Sequence, residues 1–271
     1  VALTEYQRKI CRLIAANRKE QGAAYVAGGV ALNTLIDAPR VSLDIDLFHD
    51  TDEALDRTWV ADRALLLSHG YGIEVLRERT SFVEAMISLE QDEVLMQWAR
   101  DSAFRFFPLV EDEDFGLTLH PFDLATNKVL ALASRLEVRD WIDLINCHDK
   151  IQPLGYLVWS ACGKDPGFNP KSLLLEAART SRYSTDEVSA LSFDGPVPDA
   201  GELSRRWHEM LKEAKLIVDR LPIEEADKCV LDSTGALFTG GIQDLEQAID
   251  QGGLLFHTGN IQGALPRIVH P

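Results

Sequence analysis

The chain has 271 residues, of which 27 are basic and 43 acidic, giving a formal net charge of −16. That length allows a full core in two modest domains or one large one, and although hydrophobic residues make up 46% of the chain, no run approaches the roughly 18 apolar residues of a membrane helix. Four cysteines, at 11, 147, 162 and 229, form no Cys-x-x-Cys pair, which argues against both a disulfide framework and a zinc ribbon and favours a reducing, cytoplasmic setting.

The acidic balance weighs against tight non-specific nucleic-acid binding, which relies on neutralising phosphates. Residues 121–180, however, hold seven Lys/Arg and seven Asp/Glu, so a locally basic surface and an RNA substrate stay open. In chain order, residues 4–20 carry a helical stripe of Tyr6, Ile10, Leu13 and Ile14 and read as a charged amphipathic helix, not a signal peptide. Ala23–Val26 reads as a buried strand ended by Gly28-Gly29, followed by a helix over Val30–Ile36 that stops at Asp37-Ala38-Pro39. Arg40–Phe48 alternates and reads as a strand. A helix over 53–69 follows, then strands near 73–76, 82–89 and 94–98, an acidic turn at 111–114, and a short strand at 117–119.

From Asp123, taken as an N-cap, the pattern turns helical. Loops are marked by Pro166, Pro170, Pro196 and Pro198. A long polar helix is predicted over 200–221, with shorter helices near 223–231 and 243–250. The class is α+β: a mixed half over 1–120 and a helical half over 121–271.

The chemistry concentrates in Gly28-Gly29-Val30-Ala31-Leu32 and Arg40-Val41-Ser42-Leu43-Asp44-Ile45-Asp46-Leu47-Phe48. Strand alternation sends Leu43, Ile45 and Leu47 into the core and sets Ser42, Asp44 and Asp46 on the other face. Carboxylates two residues apart lie about 6–7 Å apart at Cα, close enough to share one divalent ion or bridge two. Mg²⁺, or Mn²⁺ in its place, suits such oxygens and takes its other ligands from water and phosphates. Without Cβ atoms, Gly28 and Gly29 let backbone approach a phosphate, and the following helix offers its first N–H groups. This is apparatus for in-line phosphoryl transfer. An Asp-x-Asp or a Gly-Gly alone is commonly a solvated edge or a turn; the order of the two, with a helix between, carries the reading.

These segments, together with Asp123-Leu124-Ala125-Thr126-Asn127-Lys128-Val129-Leu130-Ala131-Leu132, Arg135 and Arg139-Asp140-Trp141-Ile142-Asp143-Leu144, resemble the AbiEii/AbiGii-type nucleotidyltransferase toxins of the polymerase-β-like superfamily. The resemblance spans about residues 23–48 and 121–146. It implies a nucleotidyltransferase domain with a mixed sheet, followed by a helical domain that completes the active-site cleft. It matches Asp44 and Asp46 to the metal pair, Gly28 and Gly29 to the phosphate-binding turn, with Arg40 and Ser42 beside it, Lys128 to a lysine contacting nucleotide phosphates, and Asp143 to an aspartate associated with activity. One continuous helix over 124–144 would gather Lys128, Arg135, Arg139 and Asp143 on one side; a break near Glu137-Val138, with Asp140 capping the next helix, is the other possibility.

The pattern departs from the superfamily at one place. A third carboxylate is expected on a later central strand, where Gln97 stands, and Glu84 and Asp101 are the nearby substitutes. Ser42, on the catalytic face, is a candidate for modification that would block nucleotide entry. Cys147-His148-Asp149 and Asp232-Ser233-Thr234-Gly235 lack the setting for a metal or phosphate site. The activity implied is transfer of a nucleoside monophosphate from an NTP to an acceptor. The resemblance points to the tRNA 3′ end, to a growth-inhibiting toxin, and to a cognate antitoxin as protein partner. The alternatives are a protein side chain or an aminoglycoside-like small molecule as acceptor, or a silent nucleotide-binding module.

Overall fold

A computed structural model describes residues 3–179 and 182–267. Two compact units divide the chain, Val1–Ala103 with Leu109–His120, and Phe104–Pro108 with Pro121–Pro271.

In the first unit α1 (Glu5–Gln21) opens on a capping box between Thr4 and Gln7 and closes on Gly22, which adopts φ 67°. It is followed by β1 (Ala24–Ala27), α2 (Gly28–Leu35), β2 (Asp44–His49), α3 (Asp52–Ser68), β3 (Gly72–Arg79), β4 (Phe82–Leu89) and β5 (Asp92–Arg100). After β6 (Phe104–Arg105), which belongs to the second unit, β7 (Val110–Asp112) and β8 (Gly116–Thr118) return to the first. The sheet is seven-stranded, in the order β3-β4-β5-β2-β1-β8-β7. It is mixed: β2–β5 and β1–β8 run parallel and the other pairs antiparallel.

One face of this sheet is core. Ile45, Leu47, Ala85, Ile87, Met96 and Trp98 are buried there, and Trp59 of α3 packs on Trp98 with ring centroids 4.8 Å apart. Buried Asp62 of α3 accepts from Asn17 and from the Trp98 indole, which satisfies a carboxylate that the apolar surroundings would otherwise reject. On the opposite face Asp44, Asp46, Glu84 and Gln97 are half-exposed.

Two expectations fail here. The second strand starts at Asp44, not Arg40, because the buried Gln7 side chain donates to the Ser42 and Leu43 carbonyls at 2.9 and 3.1 Å and takes that stretch out of the ladder. Leu43 therefore points outward and is 64% exposed. The acidic run is also only partly a turn: Glu111 and Asp112 pair with Leu117 and Gly116.

The second unit contains α4 (Pro121–Arg135), α5 (Val138–Lys150), α6 (Leu154–Ala161), α7 (Pro170–Ala177), α8 (Thr185–Ser189), α9 (Ala200–Arg220), β9 (Cys229–Asp232), α10 (Ile242–Asp250), β10 (Leu254–His257) and β11 (Asn260–Ile261). It is not purely helical. A helix expected near 223–231 is a single 3-10 turn followed by β9, which pairs with β10, and β11 pairs with β6. Nor does Asp123 cap a helix. Pro121 starts α4, a position where the missing N–H costs nothing. The fully buried Asp123 carboxylate instead accepts from the Phe106 and Phe107 amides at 2.9 and 3.0 Å and pairs with Lys164 at 2.9 Å. Asp232 forms the expected turn, its carboxylate accepting from Thr234 and Ala236.

Candidate functional site

In the first unit, β1 and β2 pair with Ala27 opposite Asp46. The chain leaving β1 therefore turns directly beside the second carboxylate. Gly28 makes that turn at φ 70°, in the left-handed region that side chains disfavour, and a Cβ there would collide with the Asp46 carboxylate. Gly29 is crowded in the same way. A Cβ on it would strike the Arg40 guanidinium and lie 3.0 Å from Ser42 Oγ. The missing Cβ atoms thus make room for Asp46, Arg40 and Ser42, where the sequence suggested open backbone.

Five of the sequence-selected positions (Gly28, Gly29, Arg40, Ser42 and Asp46) meet at the start of α2, and Asp44 lies on the same face of β2 as Asp46. Arg40 and Ser42 are 3% and 9% exposed, whereas Asp44 and Asp46 are half-exposed. Ala27 at the N-cap provides no side-chain hydrogen bond to the first turn, so an anion would find N–H groups not capped by that residue.

Among the described residues no three His, Cys, Asp or Glu side chains converge as a metal cluster. Two hard carboxylate oxygens beside a glycine turn nonetheless fit Mg²⁺ or Mn²⁺ of the kind that completes its shell with water and phosphate oxygens. Asp44 and Asp46 are the residues that would hold it, and the metal would stabilise charge on a reacting phosphate.

Register separates the two substitutes for the third carboxylate. Asp46 pairs with Gln97 of β5, and Gln97 with Glu84 of β4, so the three share one row on the half-exposed face. Gln97 Nε2 donates to Glu84 Oε1 at 2.9 Å. Asp101 lies past the end of β5, about 13 Å along the strand from Gln97 at 3.3 Å per residue; it is exposed and accepts from the Ser102 amide.

In the second unit the chain follows the broken-helix reading of 124–144: α4 gives way at Leu136, φ 53°, and Glu137 is the N-cap of α5. The break, not a continuous stripe, assembles the charges. It turns α5 back so that Lys128 Nζ lies 2.9 Å from Asp140 and 2.8 Å from Asp143, while Arg135 donates to Asp140 at 2.7 and 3.0 Å. Asp140 and Asp143 are fully buried and Lys128 is 7% exposed. Asp140 is no cap. Burial alone would raise its pKa, but the Lys128 charge and the bonds from Arg135 and Lys128 outweigh that and hold it below the ordinary carboxylate range. Lys128, Asp140 and Asp143 form a buried network with Arg135 at its exposed edge.

No protein-family model and no curated protein sequence matches the chain. Among solved structures, a protein from H. pylori assigned as a nucleotidyltransferase superposes with a TM-score of 0.53 at 18% identity, over 81% of this chain and 97% of its own. MenT4, a nucleotidyltransferase toxin from Mycobacterium tuberculosis H37Rv, superposes with a TM-score of 0.50 at 16% identity, over 82% of this chain and 88% of its own. Identities this low speak for architecture alone, and on that evidence the chain has the nucleotidyltransferase fold.

Proposed function

We propose that the protein is a metal-dependent nucleotidyltransferase that moves a nucleoside monophosphate from an NTP to an acceptor and releases pyrophosphate. The observation that carries this reading is the seating of the Asp46 carboxylate against Gly28, with Asp44 on the same strand face and Arg40 against Gly29. It joins a divalent-cation pair to an anion-binding helix start. In this reading Asp44 and Asp46 hold Mg²⁺ or Mn²⁺, while Gly28, Gly29, Arg40 and Ser42 frame the triphosphate. Lys128 and Asp143 are assigned by resemblance to nucleotide contact and activity. The ammonium of Lys128 would then share its charge between nucleotide phosphates and its two buried carboxylate partners.

The tRNA 3′ end is the proposed acceptor, and growth inhibition relieved by a cognate antitoxin is the proposed biology. The AbiEii-like motifs and the fold likeness to a nucleotidyltransferase toxin support it. Incubation with labelled NTPs, Mg²⁺ and separate pools of RNA, protein and aminoglycoside is the test. Label should enter the RNA pool at 3′ ends and depend on Asp44. Label in protein or drug would move the acceptor, and absence of metal-dependent pyrophosphate release would leave a silent binding module.

A further inference from the structure

We propose that Gln97, held in place by Glu84, supplies the third oxygen of the divalent-cation site beside Asp44 and Asp46. This rests on the nucleotidyl-transfer reading and adds to it a neutral ligand and a positioning residue. A carboxylate can only accept hydrogen bonds. The 2.9 Å contact to Glu84 Oε1 therefore has to be made by the Gln97 NH₂ group, which fixes an amide orientation that is otherwise ambiguous. With the nitrogen committed to β4, the amide oxygen occupies the other branch of the planar group and is directed off the Glu84 side. The neighbour across the other edge of Gln97 is Asp46, its register partner on β2.

Glu84 is itself braced. It pairs across β3–β4 with Arg77, whose Nη2 lies 4.0 Å from Glu84 Oε2, and only 17% of its side chain is exposed. The row Asp46–Gln97–Glu84–Arg77 thus runs from the carboxylate pair to the sheet edge, each strand about 4.8 Å from the next. A charged group at Gln97 would bring three carboxylates together. The amide provides an oxygen donor without that repulsion, and leaves cation affinity more dependent on the incoming triphosphate. Glu84 acts through Gln97 and is a positioning residue.

Mn²⁺ binding followed by electron paramagnetic resonance, with a non-hydrolysable NTP analogue bound, reads this without turnover. Gln97→Leu should weaken Mn²⁺ at least about tenfold. Glu84→Leu should weaken it by less, and Glu84→Gln, which keeps an acceptor, should recover most of the wild-type affinity. Because the two residues act in series, the double Leu variant should match Gln97→Leu alone. Thermal melts without metal check that each variant is folded, and the swap Gln97→Glu with Glu84→Gln, which keeps a donor against the new carboxylate, serves if the leucine variant is not: it should tighten Mn²⁺ binding in the absence of nucleotide. Wild-type affinity in Gln97→Leu, or multiplicative effects of the two leucine changes, would overturn the proposal. Failure of Asp44→Asn to weaken Mn²⁺ binding would instead remove the underlying functional reading.

Discussion

Each unit places two aspartates close together, and the two pairs are treated in opposite ways. Asp140 and Asp143 are buried completely and each has the Lys128 ammonium within 2.9 Å. Asp44 and Asp46 sit half-exposed on a strand face, against a glycine turn. A carboxylate taken out of water needs a cation or hydrogen-bond donors supplied by the protein, because its lost hydration is worth several kcal/mol. One left at the surface can take its cation from solution. On the proposed reading, the same residue types thus make a buried charge network in one unit and a pair open to a metal in the other.

The largest effect should follow from breaking the first-unit pair. Asp44→Ala or Asp46→Ala should lower turnover at least about a thousandfold, the scale of several kcal/mol that metal stabilisation of a reacting phosphate supplies. Melting temperature should change little, since the residues are not core. Pyrophosphate release and a thermal melt on the same samples check both halves. The second-unit network should respond the other way round. Lys128→Met takes the shared ammonium from two buried carboxylates, of which Asp140 keeps Arg135, and should cost about 3–5 kcal/mol of stability, seen as faster hydrogen exchange in α4 and α5. Retained stability together with a raised KM for NTP would show that Lys128 works chiefly on nucleotide.

That contrast also marks how far the sequence could be read. Asp44, Asp46 and Gly28 were legible because strand periodicity and a glycine before a helix are local signals, and the site they form is assembled within about twenty residues. The roles of Gln7 and Asp123 were not legible. Gln7 shortens β2 by reaching the Ser42 and Leu43 carbonyls, 35 and 36 residues away, and Asp123 serves amides of Phe106 and Phe107. Such partnerships are set by tertiary neighbours and leave no spacing to detect. The same holds for β9 and β10, two four-residue strands 21 residues apart whose pairing overrides the helical reading. The helix break at Leu136 was one of two open readings, since no Gly or Pro marks it and a leucine adopts φ 53°.

Acid should strain both units through one histidine each, of opposite tautomer. His49 is fully buried; its Nδ1–H donates to the Ala99 carbonyl, and Nε2 has no hydrogen-bond partner among the described residues. His148 uses Nδ1 as an acceptor from the Leu154 amide, placing its proton on Nε2. Burial lowers each pKa to about 4, helped at His148 by the Arg206 charge. Unfolded histidine takes a proton near pH 6.5, so between about 6.5 and 4 the unfolded chain binds protons that the folded chain refuses. Stability is therefore full above that window and falls as pH drops through it, by up to roughly 3 kcal/mol per histidine. Denaturant titrations at pH 7.5 and 4.5 should show the loss. His49→Gln and His148→Gln should each remove part of it, and an unchanged pH dependence in either would show that its histidine is not the titrating group.

The smallest effect separates two glycines of nearly identical backbone. Gly22 closes α1 at φ 67° with nothing near its missing Cβ, whereas Gly28 has φ 70° with the Asp46 carboxylate in the space a Cβ would take. Alanine at either should cost about 1–2 kcal/mol for the left-handed conformation. Only at Gly28 must a second group move, and that group is half of the candidate metal pair. Gly28→Ala should therefore lower turnover by at least about tenfold beyond its stability cost, as expected when a reacting constellation shifts by an ångström or so, while Gly22→Ala should leave turnover unchanged. Steady-state rates at a temperature where both variants are fully folded make the comparison. If the two alanines behave alike, Gly28 matters only for its backbone angle, and the contact between the turn and Asp46 has no part in activity.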